Sequence, residues 1–461
     1  TELSPSRPLG LPFRPLEAEQ TYLAWPRLTD LFPKSYPGVQ TKRDEVVVDI
    51  DRARLLKRMT SYFDCSITNE EFKLTSPAAL RSTKRFDAPA TRAYLSKRGF
   101  LPEQVVRFSY RPFDLPWVYW EPETRLLGEK SPEYFPHVFD GDLWLGAAQK
   151  SRREFDPALV TKRLSSLHVI EWSVNLFPLL FREWPGKGMF QEETKTARQL
   201  GDHFANLSDA ALAYLADRGG VKAAPDLFHH TAAVLHAPAY AEENGGALRQ
   251  DWPRVPLPAD AAALRASAAL GRQVAALLDT EAAVPGVTAG AIRPEIKVIG
   301  AVARAGGGQL NPAAGELDVT ARWGVAGKGG ICMPSTGRLT QRDYSAEERA
   351  ALAKGTKALG LDEAAALACL GERTFDVHLN GVAFWRNVPA KVWVYTLGGY
   401  QVMKKWLSYR EKALLGRGLT VDEAKEVRDM ARRIAALLLL RPQLDANYRA
   451  AKAAAYPWPT K

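Results

Sequence analysis

A chain of 461 residues, 46% hydrophobic and 10% aromatic, is long enough to bury a sizeable core and form roughly two to four domains, which excludes a disordered tail. Its 62 Lys and Arg against 52 Asp and Glu leave a formal charge of +10, a balance suited to a polyanion or an acidic surface. Cys65, Cys332 and Cys369 cannot complete a set of disulfides, and neither a signal peptide nor a bilayer-spanning apolar run is evident, so a reduced cytoplasm without a membrane partner is expected. The chain starts Thr-Glu-Leu rather than with Met, as a fragment or processed product would.

Residues 1–37 are dense in proline and aromatics and are expected as an extended arm packed by its aromatics on another surface. With the next turn they make a linker, 1–44. Gly38-Val39-Gln40-Thr41-Lys42-Arg43-Asp44 reads as a polar turn before a strand at 45–50 and a helix at 52–63. Thr41, Lys42 and Arg43 offer a hydroxyl and two cations to phosphate, with Asp44 holding Arg43 in place; an ordinary charged turn is the alternative. Strands are expected at 104–110 and 116–120, joined by a proline-stiffened bend across which Arg111 and Asp114 pair. Beyond an apolar run at 143–148 stands Gln149-Lys150-Ser151-Arg152-Arg153. Arginine suits bidentate contact with guanine, and lysine and serine suit phosphates. Lys150, Ser151, Arg152 and Arg153 therefore join Arg111 as candidates, against a charged loop closing a hairpin. A strand is expected at 166–174, with His168 a hydrogen-bonding residue of its face rather than a base.

Residues 191–285 read as mostly helical: a helix at 194–216, another opened by Pro225 and limited by Pro238, and a third at 262–279. His229, His230 and His236 lack a cysteine or carboxylate to complete a zinc set, and no metal is expected. Asp251-Trp252-Pro253-Arg254-Val255-Pro256-Leu257-Pro258 must lie extended, with Trp252 as its anchor. Glycine and short β-like runs dominate 286–340. The glycines of 324–330 fail the G-x-x-x-x-G-K-S/T spacing of a phosphate cradle. Glu295 and Lys297 end like a nuclease E-x-K but lack a second carboxylate on a preceding strand; a metal-dependent nuclease using them is one alternative function.

Ser345 with Glu348, and Thr420 with Glu423, form capping boxes. The second helix is expected to bury Val427, Met430, Ile434, Leu437 and Leu438 and to turn Arg428, Arg432 and Arg433 elsewhere, with 437–440 as its tail. Before it, 391–410 organises the C-terminal half. Val392 and Val394 alternate as in a strand, Gly398-Gly399 turn the chain, and a helix follows. Val402, Trp406 and Tyr409 face one way, and Gln401, Lys404, Lys405 and Ser408 another, with Arg410 continuing the cationic edge. Residues 386–433 hold 11 Lys and Arg against 5 Asp and Glu, which makes Lys404, Lys405 and Arg410 candidate anion contacts. The whole predicts an α+β (mixed α/β) chain of mixed sheets braced by helices, with a helical C-terminal segment and subdomains at 45–285 and 286–461.

Four stretches in order carry a resemblance. They are residues 38–44; Tyr110-Arg111-Pro112-Phe113-Asp114; residues 234–240 with 252–257; and Leu397-Gly398-Gly399-Tyr400-Gln401-Val402 with Lys405-Trp406-Leu407. The chain resembles the C-terminal region of the single-polypeptide restriction–modification enzymes called type ISP, kin to fused type II enzymes. That resemblance implies a target recognition domain whose partner is double-stranded DNA. It also implies a parent polypeptide carrying nuclease, helicase-like motor and adenine N6-methyltransferase domains, which use Mg2+, ATP and S-adenosylmethionine. Neither an Asn-Pro-Pro-Tyr tetrad nor an F-x-G-x-G loop is present, so this stretch is expected to hold no cofactor and no catalytic residue of its own. The other alternative is a structural or protein-binding module whose basic patches meet an acidic partner.

Overall fold

The computed structural model describes residues 20–151, 154–184, 195–327 and 332–459. They divide into two compact units, one of residues 1–228, 244–256 and 456–461, the other of residues 229–243 and 257–455. Each has the mixed α/β make-up that the sequence predicts.

In the first unit, the helix Arg52–Phe63 begins where Asp51 accepts from the amides of Ala53 at 2.9 Å and Arg54 at 3.3 Å. Leu55, Met59, Tyr62 and Phe63 recur at helical spacing and are buried. Its last turn is closed from outside. The buried Arg92, on the helix Ala88–Arg98, donates to the carbonyl oxygens of Ser61, Tyr62, Asp64 and Ile67 and to Asn69 Oδ1, at 2.7–3.4 Å.

One sheet of this unit runs Val48–Asp49, Trp117–Tyr119, Val105–Ser109, Leu164–Ser165 in spatial order. Its pairs are antiparallel except the last, which is parallel with Phe108 beside Leu164. A second sheet, fully antiparallel, orders Tyr36–Pro37, Asn175–Pro178, Trp144–Ala147 and Leu159–Thr161. Its core is aromatic, with the Tyr134 and Trp144 rings 4.6 Å apart and edge-on.

Several sequence expectations change here. Residues 45–50 are not one strand but a helical turn, Asp44–Val47, followed by Val48–Asp49. Val46 and Val47 are both buried, whereas strand alternation would turn one of them outward. The strand expected at 166–174 ends at Ser165, and a turn follows, closed by the Val174 amide on the Leu167 carbonyl at 3.0 Å. The helix expected at 194–216 is interrupted, and its long helical part is Asp209–Leu215. Ahead of it, Gln199–Leu200 and His203–Ala205 form a hairpin that borrows an edge from Leu180–Phe181, a partner local propensity cannot see. The described part of the N-terminal arm packs within its own unit. The amides of Leu28 and Val255 donate to the carbonyls of Pro253 and Pro26 at 3.0 and 2.9 Å, and Arg254 donates to the carbonyls of Leu23 and Trp25 at 3.0 and 2.8 Å. Residues 253–255 of the proline-rich stretch are therefore the floor on which the described part of the arm lies.

The second unit is built on an antiparallel sheet ordered Ala301–Arg304, Ala383–Pro389, Thr374–His378, Leu339–Arg342. Helices Ala261–Leu278, Ala346–Thr356, Glu363–Leu370 and the 33-residue Val421–Ala453 brace it. Both capping boxes form, with Ser345 Oγ accepting from the Glu348 amide at 3.2 Å and Thr420 Oγ1 from the Glu423 amide at 3.1 Å. Residues 437–440 lie mid-helix, all buried, rather than at its tail. Arg432 and Arg433 are also buried, not turned outward. Arg432 donates to the carbonyls of Lys297 at 2.8 Å and Ile299 at 3.2 Å, and Arg433 to that of Ala276 at 2.9 Å. Burial lowers the pKa of both.

Candidate nucleic-acid interface

Three segments of the first unit run side by side in one direction: 38–40, 164–166 and 107–109. Val39 is bridged in parallel to Ser166 and Ser109 is paired in parallel with Ser165. The Val39 amide donates to the Ser165 carbonyl and the Leu167 amide to that of Val39, both at 2.8 Å. Gly38 permits this approach, since a Cβ there would stand 2.5 Å from the Leu167 nitrogen. Parallel pairing sends the residues that follow each segment to the same end. Those residues are Thr41-Lys42-Arg43, the turn at 167–174, and Tyr110-Arg111.

A small polar network ties these ends together. The Asp44 carboxylate accepts from the hydroxyls of both Thr41 and Tyr110. The Gln40 side-chain amide lies 3.3 Å from His168 Nε2. Burial first, and the Arg111 charge second, keep the His168 imidazole below its ordinary pKa, against the pull of Asp44. Two motifs distant in sequence, 38–44 and 110–114, thus meet around one aspartate.

The candidates differ in what they present. Lys42 is exposed at φ 57°, where the missing Cβ of Gly128 leaves room; a Cβ there would stand 2.6 Å from Lys42 Cδ. Thr41 is buried. Arg43 lies half-buried with its guanidinium 3.5 Å above the Phe86 ring, donating to the Leu126 carbonyl at 3.1 Å, and burial lowers its pKa. Contrary to expectation, Asp44 does not hold Arg43, because the guanidinium is drawn over the Phe86 ring and onto the Leu126 carbonyl. Arg111 lies 4.2 Å over the Tyr110 ring and donates to the Tyr110 carbonyl at 2.6 Å. Its carbonyl accepts from the Asp114 amide at 2.9 Å, so the backbones pair across the expected bend. Lys150 is exposed and Ser151 half-buried, on the connection between Trp144–Ala147 and Leu159–Thr161, with the Ser151 amide donating to the Leu248 carbonyl at 3.0 Å. Arg152 and Arg153 lie outside the described residues.

In the second unit, residues 390–393 form a helical turn, Ala390–Trp393, where a strand was expected, because the strand Ala383–Pro389 has just ended at a proline. The strand pairing is displaced to a hairpin of Thr396–Leu397 and Tyr400–Gln401, turned by Gly398 at φ 62° and Gly399 at φ 80°. The helix Val402–Ser408 follows as expected and buries Val402 and Trp406. Lys404 and Lys405 are half-buried, and Lys405 Nζ lies 4.6 Å from the centre of the Tyr409 ring. Ser408 and Arg410 do not share that front. The hairpin of Gly324–Ala326 and Cys332–Pro334 covers Ser408, so closely that a Cβ on Gly324 would fall 2.0 Å from the Ser408 carbonyl oxygen. Arg410 is buried with its guanidinium 3.6 Å over the Trp406 ring, donating to the Trp406 carbonyl at 3.2 Å.

Glu295, which the nuclease alternative would use, is not presented to a ligand. Glu295 belongs to the helical turn Pro294–Lys297, is wholly buried, and pairs with Arg293 at 3.0 Å; burial raises its pKa. No group of three His, Cys, Asp or Glu able to hold a metal occurs among the described residues. His229, His230 and His236 are buried, with His230 Nδ1 2.7 Å from Ser267 Oγ. No helix of the described residues is long and apolar enough to cross a membrane. Sequence reasoning missed Gln40 and Tyr110 as partners because the parallel pairing that unites them joins segments far apart in the chain; their motifs alone pointed that way.

The family model described as the Type ISP C-terminal specificity domain matches residues 30–437. The chain belongs to that family. No curated protein matches it. Among solved structures it is similar to the cryo-EM structure of a DrdV–DNA complex, with TM-score 0.55 and 20% identity over 90% of this chain and 36% of that one. It is also similar to a nuclease-deletion mutant of the Type ISP restriction-modification enzyme LlaGI in complex with a DNA substrate mimic, with TM-score 0.53, 15% identity, and 94% and 35% coverage. The ATP-dependent Type ISP restriction-modification enzyme LlaBIII bound to DNA gives TM-score 0.53, 14% identity, and 91% and 23% coverage. At these identities the likeness is one of fold. The specificity-domain chain spans about a third or less of each of these proteins.

Proposed function

We propose that this chain reads double-stranded DNA in a sequence-specific manner for a type ISP restriction–modification polypeptide of the bacterial cytoplasm. The family match over residues 30–437 carries the proposal. DrdV, LlaGI and LlaBIII, which share the fold, were each solved with DNA or a DNA mimic. In this reading Lys42, Lys150, Ser151, Lys404 and Lys405 meet phosphates, setting register and making affinity salt-dependent. Arg111, Arg152 and Arg153 are offered to base edges. Thr41, Arg43 and Arg410 support these groups from beneath, through Asp44, Phe86 and Trp406 respectively.

Adenine N6-methylation with S-adenosylmethionine, ATP-driven translocation and Mg2+-dependent cleavage are assigned to the methyltransferase, helicase-like motor and nuclease domains of the parent polypeptide. The specificity chain itself is proposed to be non-catalytic. The test is selection from a pool of random duplexes at two salt concentrations, with the bound fraction sequenced. Enrichment of one short sequence is expected. Binding to an acidic protein with no duplex bound at low salt would replace this reading with a protein-interaction module.

A further inference from the structure

The turn at 167–174 carries a side chain that the DNA-reading proposal leaves without a role. Trp172 is 58% exposed, and its backbone stands at φ 79°, a region that a bulky residue enters only at a cost in strain. The turn around it is pinned. Val169, Ile170 and Val174 are buried, and the His168 and Val169 amides donate to Ser166 Oγ at 3.2 Å and to the Ser166 carbonyl at 3.1 Å. A large apolar ring is thus held outward by a backbone whose neighbours are fixed in the core.

Its surroundings narrow what the ring meets. The turn leaves the parallel segments at the same end as Lys42 and Arg111, and His168 at its start feels the charges of both Arg111 and Asp44. An aromatic ring and two cations that leave the segments at the same end suit a ligand that combines anionic groups with flat apolar faces, which describes nucleotides better than it describes a protein surface. We infer that Trp172 stacks on a base of the bound DNA, at a step it opens, while Lys42 holds the adjoining backbone. The inference rests on the DNA-reading proposal and adds to it a contact that acts through a base face rather than through phosphate charge.

The test uses the full 461-residue chain and a fluorescein-labelled duplex from the selected pool, with a mixed-sequence duplex in its place if selection enriches nothing. A matched series carries 2-aminopurine at successive positions. Binding of the wild type should raise 2-aminopurine fluorescence at one position. Trp172→Ala should abolish that rise and weaken binding roughly 5- to 100-fold with the salt slope unchanged. Trp172→Phe should restore most of both. Lys42→Ala should do the reverse, keeping the fluorescence rise while flattening the log–log salt slope by about one. Circular-dichroism melts check that each variant is folded at the temperature of the binding measurement. Undiminished affinity and an unchanged fluorescence profile in Trp172→Ala overturn the stacking role while leaving DNA reading intact. Failure of the wild type to bind any duplex at low salt overturns both.

Discussion

Arg92 shows what a buried cation does in this chain. Only 5% exposed, it satisfies four backbone carbonyls and one side-chain oxygen at the end of the helix Arg52–Phe63. Removing the guanidinium orphans those acceptors where water reaches them poorly. Arg92→Ala should therefore lower unfolding free energy by about 3 kcal/mol in urea titrations. A loss below about 1 kcal/mol would mean that the carbonyls are solvated in its absence. Asp142 makes the opposite case. Its carboxyl is buried, accepts from the Leu180 amide at 2.9 Å, and is pushed up to about 8, chiefly by burial. An unfolded aspartate titrates near pH ~3.9, so between that value and its folded pKa the folded chain binds the extra proton. The resulting stability is fully present below the unfolded pKa and is lost as pH rises toward 8. Between about pH 5 and pH 8 the wild type should lose on the order of 2–4 kcal/mol more than Asp142→Asn. Equal pH profiles in urea would show the carboxyl to be solvated.

At the scale of elements, close backbone approach does what side-chain patterning cannot. The helix Ala261–Leu278 passes the 229 backbone so closely that a Cβ at Gly271 would lie 1.8 Å from the His229 carbonyl oxygen. Gly271→Ala should cost about 3 kcal/mol, although alanine is the better helix former. Circular-dichroism melts would reveal it, and an unchanged or higher melting temperature would mean that the helix shifts without penalty. The capping boxes, by contrast, were readable as local spacing, and Thr420→Ala should cost about 1 kcal/mol. The failures at 45–50, 166–174 and 194–216 share a cause. Each stretch carries residues compatible with two conformations, and the choice fell to a partner distant in sequence: the Trp117–Tyr119 strand for Val48–Asp49, the Leu180–Phe181 edge for the 199–205 hairpin, and the Val39 and Ser109 segments for the turn after Ser165.

Across the molecule, the count of 62 Lys and Arg overstates the cations available to a ligand. Arg98 is locked bidentately on the buried Glu121 at 2.8 and 2.9 Å, and Arg342 on Glu348 at 2.7 and 2.8 Å. The 386–433 surplus likewise includes the buried Arg410, Arg432 and Arg433. DNA affinity should therefore depend on salt through far fewer contacts than the count of cations implies. Replacing both Lys404 and Lys405 by Ala should flatten the log–log slope by about two, while Arg410→Ala should leave it unchanged and lower the melting temperature instead. An Arg410→Ala slope change equal to that of a lysine variant would place its guanidinium on the DNA.

Composition, capping boxes, proline breaks and the helix at 52–63 were determined by the sequence, because each rests on local propensity or on spacing within one element. So were the four ordered motifs, and with them the family. The tertiary structure alone decided which of the chosen residues face outward. Whether an arginine meets solvent, as opposed to a ring or a carbonyl, depends on what packs over it, and the sequence pattern around Arg43, Arg410 and Arg432 is the same for either outcome. Parallel pairing of 38–40, 164–166 and 107–109 brought Lys42, Arg111 and Trp172 to one end. That juxtaposition spans well over a hundred residues of chain, a distance at which hydrogen-bond register carries information that no local period contains.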